Sequence, residues 1–196
     1  MKYAVLTMDI EDWYHLDYID SFQSNKNYSL LDGLDVYSQI LDDYNIPSSF
    51  FVVSEIAKSI SSTLNTLVNQ KHEIACHGPD HIRPANITPN KIYNELKKSK
   101  IIIEDLIGTS IEGYRAPCFS IDRTKLDLVK KAEFLYDSSR INFTEHPLYE
   151  SLNMDGYETI ANNIFRLNRF FEFELSTLPI FGKNIPVSGG GYLRLL

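Results

Sequence analysis

Strand-like and helix-like stretches take turns along this chain, and that alternation restricts its fold more than any other feature. Residues 3–8, 48–53, 72–76, 111–114 and 134–136 form short apolar runs of the kind that makes strands. Phe171-Glu172-Phe173-Glu174-Leu175 alternates with period two and predicts a sixth, half-exposed strand. Between these runs lie helix patterns. Leu31, Leu34, Tyr37, Ile40, Leu41 and Tyr44 fall on one helical face, closed by Asn45 and Pro47. Thr88-Pro89 reads as an N-cap followed by proline at the first helical position; Ile92, Leu96, Ile103 and Leu106 then recur on one side until Gly108. Asp122 caps a shorter helix carrying Leu126, Leu128 and Val129. Such a succession predicts a parallel α/β architecture, either an open doubly wound sheet or a barrel. Asp9, His77, Arg115 and Asp137 each sit at, or one step beyond, the C-terminal end of a predicted strand. In (β/α) barrels that rim holds the active site, which favours a barrel; an open sheet also uses its strand C-termini, so the pattern locates chemistry better than topology.

The 196 residues suit one domain, 1–196, with a substantial core. An apolar share of 43% and an aromatic share of 12% exclude a disordered chain. A net charge of −7 without a basic stripe argues against nucleic acid as a partner. The longest apolar runs, such as Ile101-Ile102-Ile103, are too short to cross a bilayer. The chain passes from Met1 straight into a strand pattern, without the basic and apolar regions of an export signal. Cys76 and Cys118 are too few and too far apart to need a disulfide framework, so a reduced, cytoplasmic setting is expected.

Three segments carry chemistry. His77 and His81 stand four residues apart in Ala75-Cys76-His77-Gly78-Pro79-Asp80-His81, in a loop or first helical turn, and such a pair can meet one metal ion. Asp9-Ile10-Glu11-Asp12 supplies the oxygen ligand that two imidazoles need for a three-residue site with open positions. A second carboxylate there can hold and deprotonate metal-bound water. Asp9, at the strand end, is the candidate base. The ligand is Glu11 if the chain stays extended, since it then projects from the same side as Asp9, or Asp12 if the chain turns sharply. Arg115, in Gly113-Tyr114-Arg115-Ala116-Pro117, is placed to fork onto Asp9 and keep it ionised. Cys76, beside His77, reads as a small buried thiol.

Taken in order, Leu6-Thr7-Met8-Asp9 with its following acids, His-x-x-x-His and Arg115-Ala116-Pro117-x-x-Ser120 resemble the NodB-homology polysaccharide deacetylases, carbohydrate esterase family four. Ser49-Phe50-Phe51-Val52-Val53 is similar to that family's second strand, and Tyr136-Asp137-Ser138-Ser139 to its fourth motif. Leu175-Ser176-Thr177 and the segment 186–196 resemble a subgroup linked to bacterial surface-polysaccharide synthesis. The resemblance runs over essentially the whole chain. It implies a deformed (β/α) barrel with fewer than eight strands. It also implies a divalent metal, most plausibly zinc, on His77, His81 and an acid of the first motif. Asp9 would be the base, Arg115 the residue that orients it, and Asp137 with its serines, Ser138 first, would line or support the substrate groove. The implied reaction is hydrolysis of N-acetyl groups from an N-acetylated sugar or polysaccharide.

The sequence departs from the family pattern twice. Ile10 separates the first acid from the next two, which leaves the third ligand open between Glu11 and Asp12. The family also has a later histidine that protonates the leaving amine, whereas here none follows His146. His146, in a long loop, and His15, near the acidic cluster, read as structural or substrate-contacting residues rather than as that acid. A barrel lacking its C-terminal elements would expose apolar edges, so self-association or a separately encoded C-terminal segment is expected. Two other functions fit the same residues: a catalytically dead relative that binds metal or sugar, and an amidohydrolase acting on a non-sugar C–N bond.

Overall fold

A computed structural model describes residues 4–15, 29, 31–143, 152–180 and 182–187. The chain divides into two compact units, one of Met1–Ile82 with Asn94–Ile111, the other of Arg83–Tyr93 with Glu112–Leu196.

In the first unit three strands run parallel in the order β1 (Leu6–Ile10), β2 (Ser48–Val52) and β3 (Glu73–Cys76). Residues Leu6 to Ile10 pair with Ser48 to Val52, and Ser49 to Val52 pair with Glu73 to Cys76. The central strand is covered on both faces, so it reads as a continuous apolar run: Phe50, Phe51 and Val52 are all at most 1% exposed. Helix α1 (Leu34–Asp43) turns Leu34, Ser38 and Leu41 inward, while Ile40 and Tyr44 of the predicted face are exposed. Ser38 takes the inner position because its hydroxyl donates to Gln70 Oε1 at 2.7 Å, so its burial leaves no unpaired polar group. Two helices that the sequence reading did not anticipate join β2 to β3: α2 (Ser54–Ala57) and α3 (Ser61–Asn69). Leu64 and Leu67 of α3 are wholly buried, and Asn65 Nδ2 donates to the Leu106 carbonyl. Leu106 belongs to α4 (Pro89–Ile107), whose start at Thr88-Pro89 and end at Gly108 match the expected signals. Gly108 has φ +71°, the left-handed conformation that closes a helix.

The second unit holds β4 (Gly113–Tyr114) and β5 (Tyr136–Asp137), followed by β6 (Glu158–Ala161), β7 (Ile164–Leu167) and β8 (Phe170–Phe173). Its order is β4-β5-β8-β7-β6, with β4, β5 and β8 parallel and β6 to β8 an antiparallel meander. Glycine is required at the start of β4, because a Cβ at Gly113 would lie 2.1 Å from the ring of its cross-strand partner Tyr136. Helix α5 (Arg123–Lys131) begins as expected, with Asp122 Oδ1 accepting the Lys125 N–H at 2.9 Å. A separate hairpin joins β9 (Thr177–Ile180) to β10 (Lys183–Pro186). Strands β6, β7, β9 and β10 come in addition to the six strands expected from the sequence. Among the described residues six strands are parallel to a neighbour, three in each unit. The fold is thus the mixed α/β type expected, with strands and helices alternating as far as β5 and antiparallel strands after it.

Candidate metal centre

The first strand ends two residues later than expected, and this decides how the acidic cluster is presented. Asp9 and Ile10 still pair with Phe51 and Val52, so the chain is extended through them. Ile10 is 1% exposed, packed into the core, and its flanking acids point the other way. The apolar spacer therefore has a physical role: it anchors the strand end and places Asp9 and Glu11 on one side.

His77 follows β3 directly, and its N–H donates to the Val52 carbonyl at 2.8 Å, continuing the parallel ladder. Gly78 then turns at φ +85°. The carbonyls of Gly78 and Pro79 accept the Ser54 and Glu55 N–H groups, both at 2.9 Å, which ties the histidine loop to the N-terminus of α2. His81 itself adopts φ +61°, uncommon for a side chain of its size. That turn brings its ring to 5.1 Å from the ring of His77.

Glu11, His77 and His81 form one group, their ligand atoms all within 4.8 Å of one another. Glu11 Oε2 lies 2.5 Å from His81 Nε2 and 3.9 Å from His77 Nε2. It is buried and takes part in no hydrogen bond of acceptable geometry. His81 Nδ1 lies 2.9 Å from the carbonyl oxygen of His15. In the tautomer that donates the Nδ1 proton to that carbonyl, the Nε2 lone pair is turned toward Glu11, as a metal ligand needs. One orphaned carboxylate oxygen facing two buried imidazoles fits a divalent ion with nitrogen and oxygen preferences. Asp9 Oδ2 stands 3.9 Å from His77 Nε2, its side chain 26% exposed, beside the group rather than in it.

Asp12 lies outside that group. It is 3% exposed and its Oδ1 accepts the Trp13 N–H at 2.8 Å, while its own N–H donates to His15 Nδ1 at 2.9 Å. The strand ends at Ile10, and it is Glu11, not Asp12, whose carboxylate is grouped with the two histidines. His15 is buried in the turn. Burial is the main cause holding its pKa below the ordinary histidine value, and its Nε2 lies 3.5 Å from Glu55 Oε2. Its contribution to the site is the backbone carbonyl beneath His81, a role no sequence signal announces. Cys76 is the buried thiol expected, pushed up to about 12 by burial.

The remaining site residues lie in the second unit. Arg115 is 4% exposed; its Nε donates to the Ser138 carbonyl and its Nη2 to the Ser138 hydroxyl, both at 2.9 Å. Ser138 is thus a clamp on the guanidinium. Asp137 is wholly buried, and its two oxygens accept the Ser139 N–H at 2.8 Å and the Ser139 hydroxyl at 2.9 Å. Burial raises its pKa to about 6. Its cross-strand partner is Glu172, also 0% exposed, which the sequence reading placed on a half-exposed strand and gave no role. His146 and the glycines at 189–191 lie outside the described residues.

Residues 33–136, just over half of the chain, match the family described as Polysaccharide deacetylase, and the chain belongs to that family. It is 27% identical over 117 residues to the Peptidoglycan deacetylase of Helicobacter pylori, a match covering 60% of this chain and 40% of that protein. The chain therefore spans well under two thirds of that relative's length. Among solved structures, a putative polysaccharide deacetylase from Mycobacterium smegmatis aligns with a TM-score of 0.67 at 22% identity, over 95% of this chain and 64% of that one. A CE4 family pseudoenzyme from Bacillus anthracis aligns at 0.54 and 15% identity, over 66% and 40%. These two establish the shared fold.

Proposed function

We propose that this chain is a metal-dependent deacetylase that removes N-acetyl groups from an N-acetylated sugar or polysaccharide. The observation that carries the reading is the orphaned Glu11 oxygen facing the Nε2 atoms of His77 and His81, with His81 Nδ1 held by a carbonyl. Glu11, His77 and His81 would hold the ion, for which zinc suits two imidazoles and a carboxylate. Such an ion, when bound, supplies Lewis acidity to an amide carbonyl and lowers the pKa of water. Asp9 then accepts the proton of the attacking water, since it is the second carboxylate on the same side of the strand and is partly open to solvent. The family resemblance gives Arg115, whose guanidinium Ser138 holds, the role of orienting the base. The names of the family and of the Helicobacter relative support an acetylated glycan as substrate. A reduced, cytoplasmic setting belongs to the same reading, in keeping with a sequence of only two, widely separated cysteines. Among the described residues no helix is long and apolar enough to cross a membrane.

The test is acetate release from N-acetylglucosamine oligomers by protein loaded with zinc. The expected result is turnover that requires the metal, and one equivalent of bound zinc that the His77→Ala/His81→Ala double variant no longer retains. Full metal content in that variant would overturn the reading. A catalytically silent sugar-binding protein is the second reading, favoured by the fold shared with a pseudoenzyme. It predicts oligosaccharide binding and stoichiometric zinc without acetate.

A further inference from the structure

Asp137 and Glu172 face each other as register partners on β5 and β8, both at 0% exposure. Two full negative charges there would repel one another without water to screen them. The donors around them are unevenly shared. Glu172 Oε1 accepts the Arg140 N–H at 2.8 Å and the Ser139 N–H at 3.2 Å, and Ser139 serves both oxygens of Asp137. Glu172 Oε2 is buried with no donor at all. A buried, unserved carboxylate oxygen is costly, and a proton between the two carboxyl groups removes both problems at once.

We propose that Glu172 is a positioning residue for Arg115: it is protonated at neutral pH, donates from Oε2 to Asp137, and so fixes the Ser138–Arg140 turn that grips Arg115. The turn is built around this pair. Ser139 hangs from both acids and its hydroxyl also accepts the Ala116 N–H at 2.8 Å, next to Arg115. Ser138, between them, donates its hydroxyl to the Phe173 carbonyl at 3.0 Å while accepting from Arg115 Nη2. The surrounding charges agree with one shared proton. Burial and the neighbouring Asp137 hold Glu172 well above the carboxylate range, and Arg115 is the cation that favours ionised Asp137. Burial pushes the Tyr157 hydroxyl up to about 12; Arg123, 4.8 Å from its ring centre, opposes the rise, and Glu172, Asp127 and Asp137 add to it. Arg140 spends its guanidinium on Glu174 and the Leu152 carbonyl, and it reaches Glu172 only through its backbone N–H.

The value of this positioning for catalysis rests on the deacetylase reading, so its test uses readouts independent of turnover. In the full chain at neutral pH, infrared spectroscopy should show a protonated-carboxyl C=O band that Glu172→Gln removes. The Nε–H of Arg115, followed by nitrogen-15 NMR, should exchange with solvent about tenfold faster in Glu172→Leu, which stays buried but loses the bonds to the turn. It should remain near wild type in Glu172→Gln, which keeps both an acceptor for the turn and a donor for Asp137. Absence of the band, or unchanged Arg115 exchange in Glu172→Leu, overturns the proposal. Band and exchange as expected but no acetate release would instead overturn the proposed activity and leave Glu172 where it is assigned.

Discussion

Two strands of this protein carry acids two residues apart around one apolar residue, and they face opposite ways. In β1 the spacer Ile10 is buried while Asp9 and Glu11 have side chains 26% and 23% exposed. In β8 the acid Glu172 is buried completely and the aromatic spacer Phe173 is only half-buried, stacked on Phe171 at 6.1 Å between centroids. Period two says that alternate residues share a face, but not which face is inside. The partners decide. Glu172 goes inward because two backbone N–H groups and a neighbouring carboxyl wait there. Glu11 stays at the rim because two imidazoles and no backbone donor meet its Oε2. An acid left without backbone donors beside two histidines is disposed to take a cation; an acid surrounded by donors builds structure.

The contrast breaks most visibly at Asp9. Asp9→Asn should lower kcat by about 10²–10⁴-fold with bound zinc unchanged, because it removes a base and not a ligand. Loss of zinc together with activity would place Asp9 among the ligands and erase the division of labour along β1. A smaller effect is expected in the second unit and runs with pH. The folded-state pKa of Asp137, about 6, lies above its ordinary value of 3.8, so the folded chain holds this proton more tightly than the unfolded chain does. The stabilisation from this group is then fully present below pH 4 and is lost as pH rises toward 6, a change on the order of 1–3 kcal/mol. Urea unfolding should show a steeper decline in wild type than in Asp137→Asn, where Glu172 alone still holds a proton more tightly in the folded chain. Parallel slopes would mean that Asp137 does not hold its proton more tightly when folded. The smallest effect belongs to His15→Ala. The side chain anchors the turn through Asp12 N–H, and the turn presents the carbonyl under His81, so zinc affinity measured by calorimetric titration should fall about tenfold. Unchanged affinity would show that the carbonyl is held without the imidazole.

Much of the candidate centre was legible because its signals are local. His77 and His81 are four residues apart at the end of an apolar strand, and Asp9 and Glu11 are neighbours on one side of another. The long helix from Pro89 to Ile107 was equally clear, since a cap, a proline and a terminal glycine frame it. Reading failed where the signal was short or distant. Helix α3 spans nine residues with only Leu64 and Leu67 wholly inside, too little periodicity to separate it from a loop. The meander strand Glu158–Ala161 is exposed along its whole length, so it has no apolar face to betray it. Glu172 gave no hint of burial, because its reason for being inside, Asp137, lies on another strand 35 positions earlier.

The sequence by itself determined the α/β alternation, the family, and the residue types able to bind a cation, because side-chain periodicity and motif order are properties of the chain alone. Only the tertiary structure decided that Glu11 and not Asp12 joins the two histidines, that Ser138 clamps Arg115, and that Glu172 is interior. Each of those outcomes depends on which hydrogen-bond donors or lone pairs arrive from other strands, and such arrivals are fixed by folding, not by neighbours in sequence.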